Sequence, residues 1–437
     1  IVEGERDPLS GELECDGNVK TYGRALPFQQ VNHYKAVWDN SLNLPKGWLK
    51  AIVGYQQNRR QEFEEATDEC ELDFKLHTLT YDIRYLTQEF SGFKLSAGAG
   101  GMFQQSLNLG EEMLIPEYKL FDLGLFATGS KTWQDVTLNA GLRYDHRHLD
   151  FHHRNFQTLT GSMGAVWNIS PQWNLRLNVA RGYRAPNMSE LGSDGVHEGT
   201  IRYEVGNAGL KAEHSMQADL GADFTSRYFS FQVALFANRI DNYIFAARQA
   251  AIVRPDGLST YRYTQGDARL LGFEAGIDFH PIHSIHFENT FAYVDARRPG
   301  QPLATRYLPL TPAPRWTSEL KYEISHGAHT FSNAYVSVGA ETNLRQNHYY
   351  RADDTETLTR AYTLFNISAG TDLNVRGHKW AELHLVCDNL FDCAYQSHLS
   401  RLKYADVNAV TGRRGVYNMG RNVVIKVVVP IDVVRGS

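Results

Sequence analysis

Along most of this chain apolar and polar residues alternate with a period of two, not the 3.6 of a helix. Trp173, Leu175, Leu177 and Val179 fall on one side of an extended segment, and Asn174, Arg176, Asn178 and Ala180 on the other. Val136, Leu138, Ala140 and Leu142 likewise oppose Thr137, Asn139, Gly141 and Arg143. Met216, Ala218, Leu220 and Ala222 oppose Gln217, Asp219, Gly221 and Asp223, and near the end Val423, Ile425, Val427 and Val429 oppose Lys426. Successive side chains of a strand point to opposite faces, so each segment reads as a strand with one dry and one wet face. The pattern predicts seventeen strands, at 31–40, 47–58, 76–88, 92–103, 118–130, 134–148, 157–168, 173–183, 215–225, 229–247, 259–280, 284–296, 315–325, 329–343, 361–373, 379–390 and 420–431. Alternation alone fits two architectures. In a sandwich the dry face is the core; in a membrane barrel it meets lipid and the wet face lines the lumen.

The connections separate the two. Short ones, at Ser130–Trp133, Ser170–Gln172, Ser226–Tyr228, His280–His283, Ser325–Ala328 and Asn374–His378, alternate with long ones around 104–117, 184–214, 297–314, 344–360 and 391–419. Short turns on one rim and long loops on the other mark an outer-membrane barrel, whereas a Greek-key sandwich scatters its long connections over both ends. Strands this long also suit a tilted bilayer crossing better than a soluble sheet. Tyr144, Trp167, Trp173, Tyr183, Trp316 and Trp380 lie near strand ends, where interfacial girdles sit. The expected fold is therefore all-β: a transmembrane up-and-down antiparallel β-barrel over residues 31–431, with 1–30 an outer loop segment and 432–437 a tail. With short turns facing the periplasm, the last and first visible strands both run inward. An odd strand number that starts on the outer rim implies a preceding N-terminal piece, because single-chain bacterial barrels have even strand numbers.

Composition narrows the classes further. The chain has 437 residues, 44 Lys and Arg against 49 Asp and Glu, and a net charge of −5, without the basic excess of a nucleic-acid binder. Its hydrophobic content of 42% includes no apolar run of about 18 residues, so no transmembrane helix is expected. It opens on Ile1 with no signal peptide, as a processed or cut front would. There is no GxSxG, HExxH or glycine-rich phosphate loop, so no enzyme chemistry is indicated. Of four cysteines, Cys15 and Cys70 flank the first visible hairpin on the outer side, where a disulfide between them would survive. Cys387 and Cys393 could pair too or remain free thiols, and the absence of CxxC speaks against structural zinc.

Residues 180–214 read ARGYRAPNMSELGSDGVHEGTIRYEVGNAGLKAEH. Arg181–Asn187 resembles the RGFRAPN strand end of TonB-dependent outer-membrane receptors, and Gly206–Glu213 their GNPNLKPE re-entry segment. Here Ala208-Gly209 and Ala212 replace the usual Pro-Asn and Pro. Asn389-Leu390-Phe391-Asp392 resembles the family's NLFD element, and Gly420-Arg421 opens the last strand as in the family. The resemblance covers nearly the whole chain. It implies a 22-stranded barrel around an N-terminal plug that is pulled by TonB with ExbB and ExbD. The plug and about five strands are not visible in this sequence, and the chain runs past the family's usual aromatic terminus to Ser437. The implied function is energy-dependent uptake of a scarce iron complex, ferric siderophore or haem, by a monomer in the outer membrane of a Gram-negative bacterium. Zinc or cobalamin uptake is the alternative within the family, and a passive porin-like barrel the alternative outside it. No intrinsic cofactor is implied, and iron would enter only with the ligand.

The outer loops hold the candidate ligand chemistry. His197 lies between the two motifs, as a histidine does in haem receptors that this chain resembles, and imidazole can ligate haem iron axially. His146, His148, His152 and His153, with Asp145, Asp150 and Glu198, form a polar rim group that would suit a divalent transition metal. Arg345, Tyr349 and Arg351, beside His348 and Tyr350, offer cations and rings for an anionic siderophore. Tyr183, Arg184 and Arg202 are candidates of the same kind, with girdle and loop packing as their alternative roles.

Overall fold

The computed structural model describes residues 5–6, 13–14, 26, 28–63, 70–324, 330–408 and 411–430. Two short strands, β1 (Glu5–Arg6) and β2 (Leu13–Glu14), pair with each other. The first half of the wall comprises β3 (Phe28–Leu44), β4 (Gly47–Phe63), β5 (Leu72–Thr87), β6 (Phe93–Asn108), β7 (Tyr118–Trp133), β8 (Val136–Leu149), β9 (Arg154–Asn168) and β10 (Trp173–Arg184). A loop excursion follows, carrying a helix α1 (Met188–Gly192) and a small hairpin, β11 (Asp194–His197) and β12 (Arg202–Val205). The wall resumes with β13 (Glu213–Thr225), β14 (Phe229–Arg248), β15 (Thr260–Ile282), β16 (Ile285–Arg297), β17 (Arg315–Ile324), β18 (Phe331–Asn343), β19 (Tyr362–Val375), β20 (His378–Asp388) and β21 (Asn422–Val428). Among the described residues the wall thus has eight strands in β3–β10 and nine in β13–β21, the seventeen that alternation predicts. Each is antiparallel to the next, and β10 pairs directly with β13 across the excursion.

The alternating faces settle which architecture this is. Leu177, Leu220, Leu235 and Phe273 stand opposite one another on four consecutive strands, all facing outward and 36–51% exposed. Met163 and Ile425 are 71% and 70% exposed on the same outer surface. The wet faces carry ladders such as Arg147–Asp122, bidentate at 2.7 Å, and Arg176–Asp223. Exposed apolar side chains in an unbroken band are stable only against hydrocarbon, so the sequence's dry faces turn to lipid and not to a shared core. Trp167, Trp173, Trp316 and Trp380 are exposed on this surface near strand ends, as girdle residues are. Tyr183 departs from that expectation: its hydroxyl is buried and its ring lies 5.7 Å from that of His214.

Turns on one rim are tight. Arg376 (φ 52°) and Gly377 (φ 80°) form a two-residue hairpin, the left-handed pair that matches strand twist. On the other rim β14 and β15, at 20 and 23 residues, outreach the roughly ten needed to cross a bilayer. Their ends project beyond the membrane and hold the loops, with β12 adding to β15 in parallel register (Tyr203 opposite Thr260, Val205 opposite Arg262). The buried apolar residues gather at this end. One cluster joins Leu120, Leu149, Met188, Leu191, Leu210 and Ile244; others form around Leu308 and around Phe245 and Tyr350.

Candidate functional site

The long loops are folded structures, and the two sequence motifs form their foundations. Asn187 and Glu190 make a reciprocal capping box at α1. Gly206 lies so close to this turn that a Cβ there would meet the Gly192 nitrogen at 2.5 Å, which no other residue permits. Its amide donates to the Ser193 carbonyl, the Asn207 amide donates to the Glu190 carbonyl, and Leu210 is completely buried. Arg184 donates through Nε and a terminal nitrogen to Glu213 at 2.8 and 2.6 Å, and through the other nitrogen to Glu190 at 2.8 and 2.9 Å. Ala208, at the usual proline, offers its carbonyl to Arg154. Across the molecule, Asp392 accepts from the Arg421 amide and Arg421 Nε donates to the Leu390 carbonyl, fastening the base of the 389–421 loop. Arg184 is therefore a clamp between strand ends and not a free ligand group.

Above these foundations lies a cavity of about 470 Å³. Arg202, Tyr261, Tyr263, Tyr243, Arg401 and Tyr404 line it, joined by residues 257–259, 309–310, 402, 405 and 406 of the loops. Glu204 organises one wall. It accepts from Arg202 (Nε 2.8 Å) and from the Tyr263 hydroxyl (3.1 Å), with His197 Nδ1 at 3.0 Å. Its burial would raise the carboxyl pKa, but hydrogen bonds and charge from His197 and Arg202 prevail and hold it down to about 2. With Nδ1 committed to the carboxylate, His197 has its other ring nitrogen left to meet a ligand, and the side chain is 34% exposed. Arg202 is buried, with its guanidinium carbon over the Tyr261 ring, 4.7 Å from the ring centre.

A second buried group ties three loops together. Glu356 accepts from the amides of Leu310 and Tyr350, and burial raises its carboxyl pKa. His398 shares a hydrogen bond with Thr359 at 2.8 Å, and burial beside Lys403 pushes its pKa down to about 4. Tyr404 accepts from the Thr357 amide, and burial pushes the phenol up to about 12. None of Glu204, Glu356, Tyr261, Tyr404 or His398 stands out in the sequence, because each is an isolated polar residue in a loop or strand end.

The remaining candidates are scattered. His146 and His148 extend the face that carries Leu142, so they turn outward, away from the lumen, and His148 bonds Asn155 at 2.9 Å. Exposed His152 lies edge-on to Phe151, and His153 is exposed as well. The expected four-histidine rim group is not brought together among the described residues, since His146 and His148 lie on the strand's outward face while His152 and His153 lie in the turn Phe151–His153 beyond it. The described residues contain a different His–carboxylate cluster, Asp278, His280 and His286. Arg345 is exposed, Arg351 stands 4.8 Å from the Tyr349 ring, His348 stacks on Tyr307 and Tyr350 is buried. Cys387 and Cys393 are free thiols and not a disulfide; Cys70 is free and donates to the Leu72 carbonyl, while Cys15 lies outside the described residues.

A lipid-facing band, a polar lumen and loops folded over a ligand-sized cavity define an outer-membrane barrel of the receptor or transporter class. Residues 12–390 match the family described as TonB dependent receptor-like, beta-barrel, and the chain belongs to that family. Such barrels reside in the outer membrane of Gram-negative bacteria. Among curated relatives, the chain is 21% identical over 332 residues to TonB-dependent heme receptor A of Haemophilus influenzae, covering 66% of this chain and 43% of that one. It is 23% identical over 175 residues to an iron-regulated outer membrane virulence protein of Vibrio cholerae, covering 38% and 27% respectively. Its fold is similar to copper transporter OprC (TM-score 0.72, 16% identity, 91% of this chain and 65% of that one). It is also similar to the FrpB iron transporter of Neisseria meningitidis (TM-score 0.70, 13% identity, 92% and 64%). The chain spans less than half the length of these curated relatives and just under two thirds of these structures.

Proposed function

We propose that this protein imports a scarce iron complex, haem or a ferric siderophore, across the outer membrane with energy delivered through TonB, ExbB and ExbD. The observation that carries the reading is the loop cavity. Its Tyr and Arg side chains suit a planar or anionic iron complex, and behind its lining residues Arg202 and Tyr263 the Glu204 carboxylate orients His197, whose other ring nitrogen could reach iron from the cavity's edge. Family membership and the relatives named for iron and haem support it; the chain acts as a monomer and holds no cofactor of its own. Deletion of the gene should abolish growth when haem or one siderophore is the sole iron source, and the complemented strain should lose growth again when TonB is absent. Growth that persists without TonB would favour a passive pore, and growth failure on limiting zinc or cobalamin alone would redirect the substrate. His197→Ala should reduce haem uptake selectively if haem is the cargo; unchanged haem uptake would remove His197 as a ligand.

A further inference from the structure

We propose that Asp278, His280 and His286 form a binding site for a divalent first-row transition metal on the lumen wall, at the rim of short turns and remote from the loop cavity. The site is built by the hairpin of β15 and β16. Phe279 stands opposite Phe287, but Ile282 stands opposite Ile285, so His280 and Pro281 together oppose the single residue His286. This bulge re-aims the β15 side chain at a position where proline, without an N–H, is tolerated. Ile277, Phe279, Ile282 and Phe287 take the outward face, which puts Asp278 and His286 on the lumen side.

The carboxylate is already at coordination spacing from both imidazoles. Asp278 Oδ2 lies 3.1 Å from His280 Nδ1 and 3.2 Å from His286 Nδ1, and one ligand atom from each residue falls within 4.8 Å of the others. Metal–nitrogen and metal–oxygen bonds of about 2.0–2.2 Å give cis ligand separations of roughly 3.0–3.5 Å. The imidazole rings are near-parallel, 30° apart with centroids at 5.6 Å. Hydrogen bonding within the trio leaves a gap, since Asp278 Oδ1 is buried with no partner among the described residues. A cation between the two histidines and the carboxylate would satisfy that oxygen as a second, bidentate contact. Glu288 stands directly opposite Asp278 and adds negative charge to the same face. Two imidazoles with one carboxylate select zinc, cobalt, nickel, copper or ferrous ions over calcium and magnesium, and leave positions open for water or a further ligand.

The test uses protein extracted from outer membranes in detergent, stripped with chelator, and titrated with Co²⁺ and Zn²⁺ alone. One equivalent of Co²⁺ should bind with a visible absorption band and be displaced by Zn²⁺. The double variant His280→Ala/His286→Ala should bind at least tenfold to a hundredfold more weakly. The paired control His146→Ala/His148→Ala should bind as the parent does. Diethyl pyrocarbonate labelling of the unmodified protein gives a second readout, with Zn²⁺ protecting His280 and His286. Absence of saturable binding, retention of parental affinity by the first variant, or labelling of both histidines indifferent to Zn²⁺ would overturn the proposal. Each outcome is independent of whether the loop cavity carries iron complexes.

Discussion

Glu204→Gln isolates what one buried charge contributes to the loop architecture. The carboxylate is 3% exposed and receives Arg202, which is itself only 8% exposed. Glutamine keeps the shape but acts as a permanently uncharged carboxyl, leaving a buried guanidinium without its counter-ion. The folded loop holds the Glu204 pKa at about 2 against an ordinary 4.5. That difference of about 2.5 units corresponds to about 3 kcal/mol in favour of the charged form. The sign follows from a depressed acid: the stabilisation is complete above pH 4.5 and disappears as pH falls towards 2. Hydrogen exchange at the amides of residues 193–206 reads this directly. At neutral pH the variant should exchange a few hundredfold faster than the parent, with the wall strands unchanged. Between pH 4.5 and 2 the parent should lose protection while the variant stays flat relative to it. Parental protection in the variant, or equal pH slopes in both, would refute the claim that this charge holds the hairpin. Because Glu204 also fixes His197 Nδ1, the variant should disorder the imidazole as well.

Leu220→Arg, in the middle of the lipid-facing row, should cost about 2–4 kcal/mol and reduce the folded fraction in heat-modifiability gels, whereas Gln217→Arg on the lumen side should not. Arg184→Ala strands the two largely buried carboxylates of Glu190 and Glu213; discounted for the 41% exposure of Arg184, a loss of about 2 kcal/mol is expected, seen as faster proteolysis of residues 185–212 and only partly recovered by Arg184→Lys. His398 is a base with a pKa lowered from 6.5 to about 4, so its loop packing is stable above pH 6.5 and weakens as pH falls towards 4. Proteolysis of the 389–421 loop should therefore accelerate over that window in the parent and show no such slope in His398→Gln.

The histidines show where reading the sequence stops short. His146 and His148 share parity with Leu142, so their outward aim was already legible in the alternation; grouping them by proximity in the chain overrode that signal. The Asp278–His280 pair and His286 also lie close in sequence, but their meeting depends on a bulge at Pro281 that no periodicity marks. The loop cavity is less legible still. Tyr263 reaches Glu204 from 59 residues away, and Arg154 reaches Leu210 from 56.

The wall was legible in one dimension: seventeen strands, their two faces, the rim of short turns and the motifs at the loop bases. Strand alternation and tight turns are set by each residue's immediate neighbours, so one dimension suffices to read them. That Arg184 is a clamp, that Glu204 orients His197, and that Asp278, His280 and His286 converge emerged from the folded molecule alone. Those pairings depend on strand register and on loops folding back over distant strands, and a buried charge finds its partner only once that register is fixed.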